Sequence, residues 1–352
     1  MKRLCFFCTM LLVFFFVGTV HAKENAGTTN KGKQKVDELS DKLKELEQQV
    51  KELKEEARAR RKLKATREEK TRKEKEVLSA VSRQYTLLRQ GTLELEYGFT
   101  YTYNSSDVIK ESLEIEPRYD HTLTNNLTAQ YGILNNLSFN TTIPLVYRYN
   151  KQGTSQSMHE ADVGDISFSL QFQPVKSGEG LLATILYASA TIPTGKSPYD
   201  IDPDLEVSTG SGYYRYSAGI NLSKPVDPVV AFGGISYTYT RDVNSVSQPQ
   251  TVGAILEKVE PGDGFSVSLG MAYAMSYRVS LNFSFQYSYS YSNKYFFSGG
   301  GEYKSADSTS AYLSLGSGWK LNPKTSVYVS VGIGLTRDAS DFSLSFRLPF
   351  SF

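Results

Sequence analysis

In the stretches of this chain that alternate apolar and polar residues, the charged side chains fall on the polar side. Glu94, Glu96, Glu114, Glu116, Arg118, Asp120, Arg148 and Asp165 do so in the first part, and Arg347 does so near the C-terminus. Successive strand side chains point to opposite faces, so these nine would share one surface. Carboxylates and guanidinium groups on a common surface can line a polar passage. They can also pair and seal it, as Arg118 with Glu96 would. Buried charge is costly unless paired, so a permanently dry lumen gains nothing from such groups. The later stretches place Ser266, Ser268, Ser284, Ser288, Ser314, Ser330, Ser343 and Ser345 on the same side, and residues this small leave room.

Catalytic chemistry finds few of the residues it needs. Beyond residue 22 there are two histidines, His121 and His159, and no cysteine. That excludes a histidine metal cluster and a cysteine site. A Ser-His-Asp hydrolase would need a partner for His121, and none stands out. "PTGKSP" at 193–198 imitates the end of a phosphate-binding loop, but the required earlier glycine is replaced by Ala190. The expectation is a protein without catalytic, metal or cofactor site.

The elements that must position the charged surface alternate with a period of two from Gly91 to the end. In "VSLNFSFQYSYSYS", Val279, Leu281, Phe283, Phe285, Tyr287, Tyr289 and Tyr291 alternate with small polar residues; "DFSLSFRLPFSF" closes the chain in the same way. Turn residues divide the region into twelve strands near 92–103, 113–133, 136–149, 162–174, 181–193, 209–223, 228–241, 263–276, 278–292, 308–321, 324–336 and 341–352. Long and short connections alternate, as in bacterial outer-membrane barrels with long external loops and short periplasmic turns. Outward tyrosines at the loop ends (Tyr101, Tyr103, Tyr147, Tyr149, Tyr237, Tyr239) and Trp319, Phe350 and Phe352 at the opposite ends form two girdles. The fold class read from this pattern is an all-β membrane protein, a twelve-stranded antiparallel transmembrane β-barrel preceded by an N-terminal α-helical coiled-coil arm. Outer-membrane lipid is the implied surrounding, and Phe352 resembles the terminal aromatic through which the barrel assembly machinery recognises its clients.

Ahead of the barrel the composition changes. Residues 1–22 have a basic start, an apolar run and a small residue at the end, the form of a secretory signal peptide. Residues 23–35 are polar and read as a disordered leader. Residues 36–76 read as a periplasmic helical arm, with Val36, Leu39, Leu43, Leu46, Val50, Leu53 and Ala57 at heptad spacing. That seam predicts self-association through two or three helices. Residues 77–90 carry Val77, Val81, Tyr85 and Leu88 at helical spacing and form either the end of the stalk, which is slightly favoured, or a plug. Residues 23–90 hold 20 Lys+Arg against 13 Asp+Glu, whereas 91–352 hold 17 against 24. Opposite charge balances support two structural units. The exported compartment argues against nucleic acid as the partner of the basic arm.

The phrases "YGILNNLSF" (131–139), "VGDISFSLQF" (163–172), "ATIPTGKSP" (190–198), "PVVAFGGISYTY" (228–239) and "PGDGFSVSLGMAY" (261–273) carry a resemblance when taken in order. They resemble the outer-membrane barrel family named for the meta-pathway of phenol degradation, over roughly residues 91–352. With its heptad arm, the chain is similar to the secretion channels of Fap functional-amyloid systems. That resemblance implies a trimer, an arm at Val36–Ala57 that gathers secreted amyloid-type subunits, and a plug within Val77–Leu88. The function expected first is export of unfolded polypeptide through an oligomeric barrel. The alternative is a passive porin for small, aromatic solutes, with the arm as a spacer.

Overall fold

The computed structural model describes residues 46–55, 85–109, 115–152, 156–175, 182–202, 205–226, 229–249, 254–276, 278–322 and 325–351. They belong to two compact units, residues 1–67 and 68–352. In the first, residues 46–55 are helical, and Leu46, Val50 and Leu53 along this helix are exposed. The remaining seam positions, Val36, Leu39, Leu43 and Ala57, lie outside the described residues, as do the signal peptide, the leader and most of the arm.

The second unit is an antiparallel closed barrel. Its wall begins with β1 (Leu93–Ile109), β2 (Ile115–Leu134), β3 (Leu137–Gln152), β4 (Gln156–Val163), β5 (Ile166–Val175) and β6 (Ala183–Ile192). It continues through β7 (Arg215–Val226), β8 (Val229–Thr240), β11 (Gly264–Ala274), β12 (Val279–Ser290), β15 (Ser308–Asn322), β16 (Thr325–Gly334) and β17 (Phe342–Ser351). Closure comes from β1 pairing with β17, in a register running from Glu94 opposite Ser351 to Tyr103 opposite Phe342. Both β4 and β5 pair with β3, one with each half of its length. They therefore form a single interrupted stave, and the barrel has twelve staves.

Hydrocarbon offers no hydrogen bonds, so a spanning sheet has to satisfy its backbone internally and leave no edge. The alternating sequence does the rest. Leu127, Ile143, Leu145, Leu269, Leu315 and Ile333 face outward and are exposed, while glutamine, asparagine and serine side chains face inward. Tyr147, Tyr237 and Tyr239 sit exposed at the loop ends, and Trp319 and Phe350 at the turn ends. The aliphatic band between them marks this unit as an outer-membrane barrel.

Two features depart from the sequence reading. The fourth stave starts at Gln156 rather than 162 and breaks at Gly164–Asp165, and the strand expected from 209 starts at Arg215. The long connections at 242–262 and 293–307 are structured too. β9 (Val243–Pro249), β10 (Ile255–Glu260), β13 (Lys294–Phe297) and β14 (Gly301–Lys304) form a separate four-stranded sheet. Its core is Val246, Leu256 and Val259, a cluster too short and irregular to register against a two-residue period. Phe352 lies outside the described residues.

Leu315 faces lipid at mid-strand, whereas its neighbour Ser314 faces the lumen opposite Ser284. Leu315→Arg is expected to destabilise the barrel by about 2–4 kcal/mol, and Ser314→Arg by clearly less. Urea unfolding in lipid vesicles, followed by fluorescence of the single tryptophan, Trp319, is the measurement. Equal losses would contradict the assigned faces.

Candidate functional site: the lumen and the segments inside it

The chain enters the barrel before it joins the wall. The Tyr85 ring lies 4.8 Å from that of Phe232 and packs in a buried cluster with Val230 and Ala272. Its hydroxyl pairs with Ser268 Oγ at 3.1 Å. Val230, Phe232, Ser268 and Ala272 all occupy inward positions of β8 and β11. Gly270, between the last two on the inward face, makes room for the ring, since a Cβ there would stand 2.4 Å from Phe232 Cζ. From Tyr85 the chain runs back to the mouth. There the Gln90 amide donates to Asn135 Oδ1 (3.2 Å) and the Gly91 amide to the Gly132 carbonyl (2.8 Å). Residues 86–89 are not helical, and Leu87 rather than Leu88 is the buried leucine. Tyr85, expected either at the end of the stalk or in a plug, is received by an apolar patch inside the lumen. Val77 and Val81 lie outside the described residues. The patch left a trace in the sequence: Val229, Val230, Ala231 and Phe232 are apolar on both parities, which puts apolar side chains on an otherwise polar wall.

A second segment closes the break in the wall. β4 pairs with β3 but not with β6, and residues 193–202 and 205–214 fold along this open edge. Thr194 Oγ1 donates to the Gly164 carbonyl (2.8 Å), Thr209 Oγ1 to the Val163 carbonyl (3.2 Å) and Arg148 Nη1 to the Ser208 carbonyl (2.9 Å). Asp165 is the pin. Its carboxylate, only 6% exposed, accepts from the Gly195 amide, the Ser211 amide and the Ser211 hydroxyl and lies 3.8 Å from Arg215. The two limbs of the segment touch where Gly195 meets Gly210, and a Cβ on Gly195 would stand 2.7 Å from Gly210 Cα. This crossing is what "PTGKSP" encodes. Lys196 bridges Glu160 (3.0 Å) and Glu206 (3.3 Å), and its ammonium is held above the ordinary value chiefly by the bond to Glu160.

The expected pore residues separate by depth. Glu96 lies 3.9 Å from Arg347, and Asp120 lies 3.8 Å from Arg148, so partners come from neighbouring staves. The pair Arg118–Glu96 does not form: Arg118 stands opposite Ser106 and Glu96 opposite Thr128, at different heights on the same hairpin. Glu94 faces inward near the turn end, opposite Gln130. Glu116 and Arg118 stand on the loop end of β2, and Glu114 lies outside the described residues. Sequence reasoning passed over a neutral cluster. Gln130 is opposite Asn140, and Ser138, the next inward residue of β3, is opposite Gln171. All four are buried, and Gln130 Nε2, Ser138 Oγ, Asn140 Oδ1 and Gln171 Oε1 have no partner among the described residues. Tyr187 and Ile185 continue this wall on β6.

Above the barrel, Tyr199 packs against the Val246–Leu256–Val259 cluster, and Gln248 Nε2 donates to the carbonyls of Pro198 (2.8 Å) and Ile201 (2.6 Å). The four-stranded sheet is thus joined to the inward segment. Burial raises the Tyr199 phenol above its ordinary value. Lys258 bonds Glu260 at 2.7 Å and Asp242 at 3.2 Å.

A closed twelve-stave barrel with an aliphatic exterior and a polar interior defines the class, an outer-membrane β-barrel. The chain belongs to the family described as "Putative MetA-pathway of phenol degradation", which matches residues 112–352. Its fold is similar to the COG4313 outer membrane channel from Pseudomonas putida F1, with a TM-score of 0.59 at 12% identity, covering 77% of this chain and 99% of that one. The translocator domain of autotransporter NalP from Neisseria meningitidis aligns at a TM-score of 0.47 and 10% identity, over 82% and 97% of the two chains.

Two measurements test this arrangement. Tyr85→Ala removes a ring contact and a hydrogen bond worth together about 1–3 kcal/mol and is expected to raise single-channel conductance in planar bilayers. Tyr85→Phe should fall between, and unchanged conductance in the alanine variant would contradict a lumen-held segment. The second concerns pH. Glu260 is held below its ordinary 4.5, first by the Lys258 bond. A depressed carboxylate stabilises the folded state fully above 4.5 and loses that contribution as pH falls through its lowered value. Cleavage within 242–262 by an acid-active protease should therefore accelerate below pH 4.5 in the wild type, and the acceleration should be weaker in Glu260→Gln.

Proposed function

We propose that this barrel passes small solutes that combine an aromatic or apolar body with a hydrogen-bonding group. The observation that carries the reading is the cluster of Gln130, Ser138, Asn140 and Gln171. Buried polar atoms are normally satisfied, and an unmet one costs about 1–3 kcal/mol. A donor, two acceptors and a hydroxyl on adjacent staves offer such bonds to a solute hydroxyl once their side chains part. Tyr187 and Ile185 beside them, and the Tyr85–Phe232 patch, offer apolar contact. The family description refers to phenol degradation, and a phenol has this chemistry. Among sites of this kind, a few polar groups set orientation within a mainly apolar surface. The Tyr85 segment and the pinned residues around Gly195 and Gly210 narrow the passage.

The exposed stripe Leu46, Val50 and Leu53 favours a second reading, in which the arm self-associates. An oligomeric arm, a trimer by resemblance, would collect unfolded amyloid-type subunits for export. A simple solute pore has no need of such a stripe.

In planar bilayers, phenol should block the ionic current saturably. Gln130→Leu with Gln171→Leu should weaken that block by about tenfold. An unaltered block, or equal block by glucose, would overturn the solute reading. Deleting residues 23–76 separates the two: loss of fibre secretion with intact permeability supports export, and unchanged secretion rules it out.

A further inference from the structure

The lipid-facing surface of β2, β3 and β4 carries a basic patch that the lumen does not use. His121 and His159, the only histidines after residue 22, are both outward, and both stand directly opposite Tyr149. The three form a row across three staves at the level of the outer aromatic girdle. One step further out, Lys151 stands opposite Tyr119 on one side and Ser157 on the other. Lys151 and His159 are exposed. Below the row the outward residues turn aliphatic, with Leu145, Ile143 and Leu127 exposed.

Elsewhere the girdle is built differently. Tyr237 donates to Asp263 at 2.5 Å and Tyr289 donates to Asp307, so loop carboxylates occupy the headgroup level there. On β2–β4 no carboxylate shares the outward parity near the row. Among the described residues the nearest acids are Asp107 on β1, opposite Pro117 and two outward positions beyond Tyr103, and Asp341, whose carboxylate accepts from the Ser105 amide and hydroxyl. His121 is held in place: Tyr101 Oη lies 2.8 Å from its Nδ1, and its ring lies 5.8 Å from that of Tyr149. With the phenol donating to Nδ1, Nε2 carries the ring proton and can donate to an oxyanion.

We propose that this patch binds the phosphorylated headgroup of an outer-leaflet lipid. Lys151 supplies the ammonium, His121 and His159 supply imidazole donors on either side of Tyr149, and the acyl chains lie along Leu145, Ile143 and Leu127. Charge complementarity selects the occupant, because charge-assisted bonds to phosphate are the strong ones. An amphipathic belt without cations would take any lipid.

The test is native mass spectrometry of the full chain released from detergent. The barrel is incubated with a bisphosphorylated disaccharide lipid or with the same lipid after phosphatase treatment. Wild type should retain the phosphorylated lipid, and Lys151→Gln/His121→Gln/His159→Gln should retain about tenfold less of it. Tyr149→Phe should behave as wild type. Folding is checked by heat-dependent gel mobility, and Lys151→Gln alone, an exposed change, decides the matter if the triple variant does not fold. Equal retention of both lipids, or by wild type and variant, overturns the proposal. Displacement of the lipid by millimolar inorganic phosphate overturns the lipid assignment in favour of a phosphate site.

Discussion

Backbone hydrogen bonding in a medium that offers none is the constraint on which this structure depends. A sheet in hydrocarbon has to pair every strand on both sides, and the pairing of β1 with β17 completes that circuit. Closure then dictates the rest. Side chains must alternate between lipid and lumen, so the chain carries Leu127, Leu269 and Leu315 on one face and Gln130, Asn140 and Asn282 on the other.

The constraint is broken at one place, and the repair shapes the interior. β4 has no partner on its far side, and Gly164–Asp165 interrupts its stave. The hydroxyls of Thr194 and Thr209 bond the carbonyls of Gly164 and Val163 at its end instead. Asp165 can hold this segment because its carboxylate meets three donors and a guanidinium in a nearly dry setting. The repair also joins the wall to the four-stranded sheet through Gln248 and Tyr199. Opposite it, Tyr85 holds the N-terminal segment in the other mouth by ring packing. The lumen is therefore narrowed from both ends by chain that is not part of the wall.

Charge has a different role from the one its abundance suggests. Inward ions pair across adjacent staves, Glu96 with Arg347 and Asp120 with Arg148, while neutral amides keep bonding capacity that no described residue meets. A lumen of this kind accords with the proposed passage of neutral solutes that carry one polar group.

Period-two alternation from Leu93 to Phe350 determined the strands, their lipid-facing side and their number, because each signal is local and the solvent on each face is uniform. The girdle tyrosines were equally legible. Pairing of charges was not, since Arg347 and Glu96 lie 251 positions apart and only closure makes them neighbours. Nor was the placement of residues 193–202 and 205–214, whose turn residues look like any loop until Asp165 and the open edge of β4 are placed beside them. The Val230–Phe232 patch was half-visible as an apolar residue on the wrong parity, but the ring that fills it comes from another part of the chain. Local polarity writes strands into a sequence; which strand ends meet, and what enters the space they enclose, is decided by the closed barrel.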